Sequence, residues 1–408
     1  MNAHRVVVTG MGLTSPIGNS MDEVARALRE GRGGVEILPA LAEIGQMKTR
    51  LAAPARVDLS ALPKKRTRTM GRVALLSTWA TGQALADARL DPEYVSSGKV
   101  GLAYGSTAGT SSAVGDYLEK LHLRRTLEGI QASTYLKFMS HTCAANVAQY
   151  YAIRGRVITT CSACVSSSQA IGFGFETVRS GAQEVMVCGG AEELDVTHAA
   201  IFDLMFATSS RYNDRPDESP RPFDADRDGL VVGEGAGTLV LERLDLARAR
   251  GARIYGEVIG FATNCDGLHM TAPSEDGMSR VIQGALADAG LSPERIDYVN
   301  AHATGTDLGD VCESRAVHRV LGDKVPISST KGFTGHTLGG CGVIESVFCL
   351  AMLRDGFLAP NKNLARPHPD CAPLDYVTGA ARQARPRIVM NNNFAFAGLN
   401  TSLLFQAP

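Results

Sequence analysis

Residues 84–93 read ALADARLDPE and residues 285–294 read ALADAGLSPE, so one decapeptide occurs twice, almost half of the 408-residue chain apart. In each copy the alanine-rich stretch is the end of a predicted helix, and a turn then leads into a β-branched run at residues 100–104 or 296–301. A Gly/Thr-rich segment follows each run, GSTAGT in the first copy and ATGT in the second. The repeat predicts two similar α/β halves, with a site between them that takes residues from both.

The rest of the chain alternates between short strand-like runs and helix-period stretches. This alternation predicts βαβ units and a largely parallel sheet, with the halves at residues 1–250 and 251–408. Residues 211–227 are polar and contain prolines, which predicts a surface loop leading to a strand at residues 230–241. The other predicted strands cover residues 5–9, 100–104, 156–160, 184–188, 296–301, 325–328 and 388–390, and the predicted helices cover residues 21–29, 164–179 and 277–289.

Composition and charge narrow the class of protein. Lys and Arg number 41 against 42 Asp and Glu, which leaves a net charge of −1, and 44% of residues are hydrophobic. This balance argues against general nucleic-acid binding and is typical of a globular protein. No apolar run reaches the roughly 18 residues of a membrane span, and the first residues show no signal-peptide pattern. Nine scattered cysteines predict reduced thiols in the cytosol.

The N-terminal segment VVVTGMGLTSPIG resembles a dinucleotide-binding fingerprint only superficially. Its glycines Gly10, Gly12 and Gly18 are spaced GxGxxxxxG rather than GxGxxG, and no acidic residue closes a clear second strand. We therefore interpret this segment as a strand and a tight turn. The alternative function of a nucleotide-dependent oxidoreductase would be supported by this glycine pattern alone.

The pair Cys161 and Cys164 forms a CxxC motif where a predicted strand ends and a helix begins. Zinc binding would require a second CxxC or clustered His and Cys in the sequence, and neither is present. A thioredoxin-like pair fits the spacing but not the context. Cys164 can instead be a nucleophile whose thiol pKa is lowered by the helix N-terminus, or simply a small buried residue. The local sequence leaves these interpretations open.

Two histidines follow strands in Gly/Thr-rich loops, His302 in NAHATGTD and His336 in STKGFTGHTLGG. Cys164 in the first half and His336 in the second half occupy matching positions, between the end of a strand and the start of a helix. Near the C-terminus, small residues flank Phe396 and would let its backbone N–H approach a substrate oxygen, as an oxyanion hole requires.

One cysteine and two histidines on loops after strands make the sequence resemble a β-ketoacyl-acyl carrier protein synthase, a ketosynthase of the thiolase superfamily. The resemblance covers essentially the whole chain and is closest to the type I/II bacterial condensing enzymes. It is carried, in order, by SACVSSSQAIG, VCGGAEEL, RPFDADRDGLVVGEGAG, NAHATGTDLGD, STKGFTGHTLGG and NNNFAFAGLN. It implies a thiolase-like α/β fold of two similar halves in five αβαβα layers with mixed sheets.

The resemblance also implies an acyltransferase that performs a decarboxylative Claisen condensation. The growing acyl chain is carried on a cysteine, and the malonyl extender arrives on acyl carrier protein. No metal or cofactor is implied, since the phosphopantetheine comes with the carrier. The implied roles are nucleophile (Cys164), malonyl carbonyl donors (His302, His336), electrostatic support (Lys331), structural acids (Glu345, Asp310), oxyanion amides (Cys164, Phe396), pantetheine contacts (Thr304, Thr306) and acyl pocket (Phe206, Phe394, Phe396).

An acidic carrier requires a basic docking patch, and the segment PKKRTRTMGR is the first candidate. The expected carrier contacts are Lys64, Lys65, Arg68, Arg72 and Arg124, and a solvated helix face is the plain alternative. The family resemblance further implies a homodimer, or a heterodimer with a related ketosynthase-like subunit.

Several residues depart from the family pattern. Ala395 and Ala397 replace the usual glycines of the Phe396 loop, which predicts a stiffer loop because alanine resists positive φ. Cys341 stands where alanine is usual, and Phe206 occupies a position that is small in type I relatives. These departures favour a specialised ketosynthase of aryl-polyene or polyketide pigment synthesis over a fatty-acid enzyme. A non-catalytic chain-length factor would lack the cysteine, and a biosynthetic thiolase would carry a second catalytic cysteine near the C-terminus.

Overall fold

A computed structural model describes residues 3–408, and eight strands and ten helices lie before residue 250. The strands are β1 Val6–Thr14, β2 Glu36–Ile37, β3 Leu51–Ala53, β4 Val100–Gly105, β5 Val157–Thr160, β6 Val185–Glu192, β7 Val232–Gly233 and β8 Gly235–Arg243. The helices are α1 Met21–Glu30, α2 Pro39–Ala42, α3 Lys64–Thr67, α4 Arg72–Ala88, α5 Pro92–Val95, α6 Ser111–Leu118, α7 Thr142–Tyr151, α8 Ser166–Arg179, α9 Val196–Leu204 and α10 Leu244–Ala249.

The remaining residues form eight strands and four helices. The strands are β9 Gly256–Cys265, β10 Tyr298–Asn300, β11 Pro326–Ser328, β12 Phe357–Leu358, β13 Asp375–Tyr376, β14 Arg382–Gln383, β15 Ile388–Phe394 and β16 Leu399–Gln406. The helices are α11 Glu275–Ala289, α12 Asp307–Leu321, α13 Lys331–Thr334 and α14 Cys341–Asp355.

Eleven strands form one mixed sheet in the order β13-β11-β10-β15-β16-β9-β1-β8-β6-β4-β5. Read outward from its centre, the first half runs β1-β8-β6-β4-β5 and the second runs β9-β16-β15-β10-β11. When the five strands of each half are numbered in chain order, both halves have the same spatial order: first, fifth, fourth, second and third. The halves join where β1 pairs antiparallel with β9, with Val6 opposite Val258. β13 extends the second half by one parallel strand.

The two halves of the sheet enclose a central layer of helices, and further helices cover their outer faces. The resulting five layers agree with the predicted thiolase-like α/β fold. In the first half α4 packs on the outer face of β1 and β8, and in the second half α11 packs on β9 and β16 and against α12. The central layer contains α8 and α14, which contact each other and the sheet on both sides. Their apolar side chains, among them Phe175, Val343 and Phe348, are buried in the largest hydrophobic cluster.

The repeated decapeptide marks equivalent places in the two halves. Its first copy ends α4 and leads into β4, and its second copy ends α11 and leads into β10. Both helices end in a left-handed residue, Arg89 after α4 and Gly290 after α11. In both halves this segment buries an equivalent helix face and then reverses the chain, which explains why its sequence is repeated.

The predicted strand and tight turn are confirmed, but the turn is closed by Gly18, whose amide and carbonyl pair with those of Ser15, whereas Gly10 and Gly12 lie inside β1. A Cβ atom on Gly10 would lie 2.3 Å from the Ala84 carbonyl oxygen, and one on Gly12 would lie 2.1 Å from that of Ala80. These glycines therefore let the backbone of α4 lie directly on the strand. Within residues 3–408, no helix is both long enough and apolar enough to span a bilayer.

Candidate active site

Cys164 lies where β5 ends, in a 3-10 turn formed by Ala163–Val165 that leads directly into α8. Its Sγ atom is buried and lies 2.9 Å from Nε2 of His336. The thiol of Cys341, at the start of α14, donates to the Cys164 carbonyl oxygen at 3.2 Å and holds the turn against the second half. A nucleophilic sulfur is thus in contact with an imidazole from the other half of the chain.

Cys164 lies just before the start of α8, as expected, but burial and not the helix N-terminus sets the direction of its pKa shift. Burial raises the pKa of Cys164 to about 12, and the nearby Lys331 charge opposes this rise only in part. The thiol is therefore protonated at rest, and it needs a proton acceptor when it attacks.

His302 and His336 meet edge to face, with ring centroids 5.1 Å apart and planes at 88°. His336 is fixed by β7: its amide donates to the Val231 carbonyl oxygen at 2.7 Å, and Gly233 donates back to the His336 carbonyl oxygen at 2.8 Å. Gly335, at φ +62°, makes the turn that brings the histidine to this strand. Burial, with the Lys331 charge, lowers the pKa of both histidines well below the usual range, so both imidazoles are neutral.

The His302 loop is held by two buried carboxylates of α12. Glu313 accepts from the amides of His302 at 2.8 Å and Ala303 at 2.6 Å. Asp310, a predicted structural acid, accepts from the amides of Thr304 at 3.0 Å and Gly305 at 3.1 Å. Burial raises the pKa of Glu313 to about 8 and that of Asp310 to about 6, and the amide donors oppose this shift. These contacts place the imidazole of His302 with little freedom.

Lys331 begins α13 and forms a fully buried ion pair with Glu345 of α14. Burial alone would lower the Lys331 pKa, but the Glu345 charge outweighs it and the pKa is raised. The ammonium group therefore keeps its proton and acts as a fixed positive charge behind the two histidines.

The fold clusters Cys164, His302 and His336, whose ligand atoms all lie within 4.8 Å of one another. The sequence argument against zinc concerned ligands close together in the sequence, and it does not extend to this cluster, which the fold assembles from distant residues. The Lys331 charge nevertheless lowers the pKa values of both imidazoles. The same charge disfavours a second cation between them.

The Phe396 loop joins β15 to β16 beside the cluster. The Phe396 ring is 37% exposed and lies 5.7 Å, centroid to centroid, from Phe202 of α9. Ala397 adopts φ +64°, the left-handed conformation that alanine resists, whereas Ala395 is extended at φ −119°. The amides on either side of Phe396 donate within the structure, Ala395 to Leu399 at 2.8 Å and Ala397 to Met270 at 2.7 Å.

The predicted acyl-pocket residues lie in different environments, one buried beside the histidines and one exposed at the surface. Phe394 is buried, with its ring 6.2 Å from that of His302. Phe206 is 77% exposed, and its ring lies 3.8 Å below the Lys48 ammonium, so it lines no buried pocket of this chain. Phe202, which the sequence analysis did not single out, lies on the buried side of α9 and faces Phe396 instead.

The predicted pantetheine residues lie together at the His302 loop. The hydroxyl oxygens of Thr304 and Thr306 are 3.1 Å apart. Thr304 is buried and Thr306 is half-buried at the start of α12. The pair therefore offers two hydroxyl groups between the histidine loop and the surface.

The predicted docking residues also differ in what they can contact. Lys65 and Arg68 line an open groove of about 240 Å³ between α3 and α7, and Lys64 is exposed beside it. Arg72 is paired with the buried Glu234 carboxylate at 2.7 Å, so its charge is already compensated. Arg124 forms an exposed pair with Glu119 at 2.5 Å.

Asn393 and Glu313 are site residues that sequence reasoning missed. Both are buried polar side chains that contact His302 or its backbone. Glu313 follows Asp310 by three residues on α12, a spacing that puts both carboxylates on one face of that helix. That spacing was a usable signal for Glu313, whereas nothing in the run of three asparagines distinguishes Asn393.

Comparison with known proteins agrees with this geometry. Residues 3–247 match the β-ketoacyl synthase N-terminal domain, and residues 255–365 match the β-ketoacyl synthase C-terminal domain. The chain therefore belongs to the β-ketoacyl synthase family.

Individual members of the family are similar over the full length. The chain is 38% identical to 3-oxoacyl-[acyl-carrier-protein] synthase 1 of Haemophilus influenzae, with 98% of each chain covered. A crystal structure of a β-ketoacyl synthase from Burkholderia phymatum is 46% identical, with a TM-score of 0.96 over 99% of this chain and 100% of that one. The ishigamide ketosynthase/chain length factor is 33% identical, with a TM-score of 0.93 and full coverage of both chains.

Proposed function

We propose that this chain is a 3-oxoacyl-acyl carrier protein synthase. It condenses a malonyl group on acyl carrier protein with an acyl chain on Cys164, and carbon dioxide is lost. The observation that carries the proposal is the contact of 2.9 Å between Sγ of Cys164 and Nε2 of His336, with His302 beside them.

Acyl loading is the first step. Because the thiol is protonated at rest, its proton passes to Nε2 of His336 as Sγ attacks the thioester carbonyl carbon. The bond between that carbon and the pantetheine sulfur then breaks. His336 returns the proton to the leaving thiolate, and the histidine is neutral again.

Decarboxylation of malonyl is the second step. The bond between the carboxylate carbon and the methylene carbon breaks, and its electron pair forms an enolate whose negative charge builds on the thioester oxygen. The N–H group at Nε2 of neutral His302 donates to this oxygen. His336 ends the loading step with its proton on Nδ1, so it donates to the same oxygen only after that proton has moved to Nε2. The fixed charge of Lys331 favours the same accumulation of negative charge.

Condensation is the third step. The enolate carbon attacks the acyl carbonyl on Cys164, and the amides of Cys164 and Phe396 receive the developing oxyanion. The intermediate releases the Cys164 thiolate, which takes up a proton from water, and the 3-oxoacyl product leaves on the carrier. Phe202, Phe394 and Phe396 supply the apolar surface for the acyl chain, and Thr304 and Thr306 bond the pantetheine arm.

Two kinds of partner follow from this chemistry. The groove at Lys65 and Arg68 receives the acidic carrier protein. A second subunit, identical or related, covers the free edge of the sheet at β5, where Val157 is 45% exposed.

The boundary between the two halves of the chain lies at residues 250 and 251. The nine unpaired cysteines fit a cytosolic location.

A specialised ketosynthase of polyketide or aryl-polyene type is the second candidate. It performs the same reaction on a different acyl chain beside a chain-length subunit. The alanines of the Phe396 loop and the similarity to the ishigamide ketosynthase/chain length factor favour it. Retention of Cys164 argues against a purely non-catalytic subunit.

The test is to supply acyl-carrier and malonyl-carrier thioesters of several chain lengths and degrees of unsaturation. The proposal expects equal amounts of carbon dioxide and 3-oxoacyl-carrier, and the preferred chain distinguishes the two candidates. Failure of the wild type to release carbon dioxide from malonyl-carrier under any of these conditions would overturn the proposal.

A further inference from the structure

Asn393 connects three parts of the active site. It lies near the end of β15 and is fully buried. Its Oδ1 accepts from the Ser168 hydroxyl at 2.5 Å, and its Nδ2 donates to Oε2 of Glu345 at 2.6 Å. The same Nδ2 lies 3.5 Å from Nδ1 of His302 and 3.6 Å from Sγ of Cys341. One amide therefore touches α8, the Lys331–Glu345 pair and a histidine.

The orientation of this amide is fixed by its neighbours. Glu345 carries the Lys331 ammonium on one carboxylate oxygen, and its other oxygen accepts a hydrogen bond, so the NH2 group of Asn393 must face it. The Ser168 hydroxyl donates to the oxygen on the other side. An amide nitrogen has two hydrogens and no lone pair to offer. Since one hydrogen goes to Glu345, the other is shared between Nδ1 of His302 and Sγ of Cys341, and in neither case can the amide nitrogen accept a hydrogen bond from the ring.

A neutral imidazole has a single proton, and its position decides what the ring can do. Because the Asn393 nitrogen can only donate, Nδ1 of His302 has to accept and remain unprotonated. The proton is then on Nε2, which makes that nitrogen a donor. A ring with the opposite tautomer would present a lone pair from Nε2 to the enolate oxygen, and it would repel the charge it has to stabilise.

We propose that Asn393 is a positioning residue that keeps the proton of His302 on Nε2, so that this histidine donates to the malonyl carbonyl oxygen. The inference rests on the proposed condensing activity for its functional consequence. Its structural part, the tautomer, can be measured without any turnover. Asn393 itself contacts no reacting atom in this account.

The experiment uses full-length enzyme labelled with 15N-histidine, and the loss of signals in His302→Gln assigns the residue. The wild type is expected to show a protonated Nε2 and an unprotonated Nδ1 at His302. In Asn393→Asp the oxygen that replaces Nδ2 lies against Glu345, so the two carboxyl groups share one proton. That oxygen can accept a hydrogen bond from the ring, so the His302 proton is expected to move to Nδ1. Asn392→Leu is the control for substitution of a buried amide, because this neighbouring side chain has no hydrogen-bond partner among residues 3–408 and the change adds no charge. It should leave the His302 signals unchanged.

Kinetics separate a positioning role from a structural one. Asn393→Asp should keep acyl loading of Cys164 within about twofold and slow malonyl decarboxylation on the order of 100-fold, the effect of losing one oxyanion donor. In the His302→Ala background the same substitution should have little further effect. Asn393→Leu, which adds no charge, should mix the two tautomers and slow decarboxylation about tenfold.

A protonated Nδ1 in the wild type overturns the inference, and so does a tautomer that Asn393→Asp leaves unchanged. Equal slowing of loading and decarboxylation, or full additivity with His302→Ala, also overturns it. If the wild type fails to decarboxylate malonyl-carrier, the proposed function fails instead, and the tautomer measurement still decides the role of Asn393 at His302.

Discussion

At the scale of single residues, Cys164 and His336 form a pair of neutral groups in contact. Burial raises the pKa of the thiol to about 12 and lowers that of the imidazole. The two shifts have the same cause, removal of charge from water, and together they oppose an ion pair at rest. The proton therefore moves only when the substrate carbonyl is attacked.

This arrangement predicts different losses for the two histidines. His336→Ala should slow acyl loading on the order of 100-fold at neutral pH, because the thiol loses its proton acceptor. The residual rate should rise about tenfold for each pH unit between 7 and 9, since the thiolate fraction grows with pH below the thiol pKa. Intact-mass time courses with acyl-carrier thioesters measure both effects. His302→Ala is the control, and it should load normally but decarboxylate malonyl-carrier at a much reduced, still measurable rate; a pH-independent His336→Ala rate would refute the account.

The Lys331–Glu345 pair predicts a large loss of stability when one partner is removed. Lys331→Met leaves an uncompensated buried carboxylate, which should cost about 3–5 kcal/mol of unfolding free energy. Removing both charges, as in Lys331→Met with Glu345→Leu, should recover part of this cost. Urea denaturation measures the three variants, and a double variant no more stable than Lys331→Met would contradict the account.

At the scale of elements, the Phe396 loop combines a required shape with residues that resist it. Ala397 holds a left-handed conformation at φ +64°, and Gly398 follows it at φ +68°. Hydrogen bonds from Asp266 and to Met270 fix the loop to the turn after β9. The loop that the sequence predicts to be stiff is thus also strained at one position.

Two glycine substitutions in this loop should change stability in opposite directions. Ala397→Gly removes a left-handed strain of about 1–2 kcal/mol and adds about 0.5–1 kcal/mol of chain entropy, for a small net gain. Ala395→Gly has no strain to relieve and should lose about 0.5–1 kcal/mol. Chemical denaturation of both variants decides the point, and a loss for Ala397→Gly equal to that for Ala395→Gly would contradict it.

Sequence reasoning located the elements better than the contacts between them. Helix and strand periods, together with the repeated decapeptide, predicted α4, α11 and the strands that follow them, because local burial patterns define these elements. The thiol pKa and the contacts of Asn393 depend on groups far apart in the chain, and no local pattern encodes them. Gly10 was expected to follow the first strand and not to lie inside it, because its close partner, Ala84, belongs to a helix more than seventy positions away.

At the scale of the whole molecule, the site exists because two similar halves meet. The first half supplies Cys164 from the end of β5, and the second supplies His302 and His336 from the ends of β10 and α13. The resemblance carried by motifs in order along the chain predicted these three residues. Their mutual distances follow from α8 and α14 packing in one central layer.

Carrier docking is a property of the molecular surface, and it predicts a selective effect. Lys65→Glu with Arg68→Glu should raise the KM for acyl-carrier on the order of tenfold or more, since like charges then face the acidic partner. Activity with a small pantetheine thioester should be unchanged. Steady-state kinetics with both substrates test this, with Lys324→Glu, an exposed lysine after α12, as the charge-matched control. An equal loss with the small thioester would point to misfolding instead of docking.

The most direct test of the central claim is intact-mass spectrometry after incubation with acyl-carrier thioesters, for the wild type and for Cys164→Ala. The account predicts one thioester adduct of acyl mass on the wild type, mapped to Cys164 by peptide analysis, and no adduct on the variant. Equal adducts on both proteins, or an adduct that maps to Cys161 or Cys341, would contradict the assignment of the nucleophile.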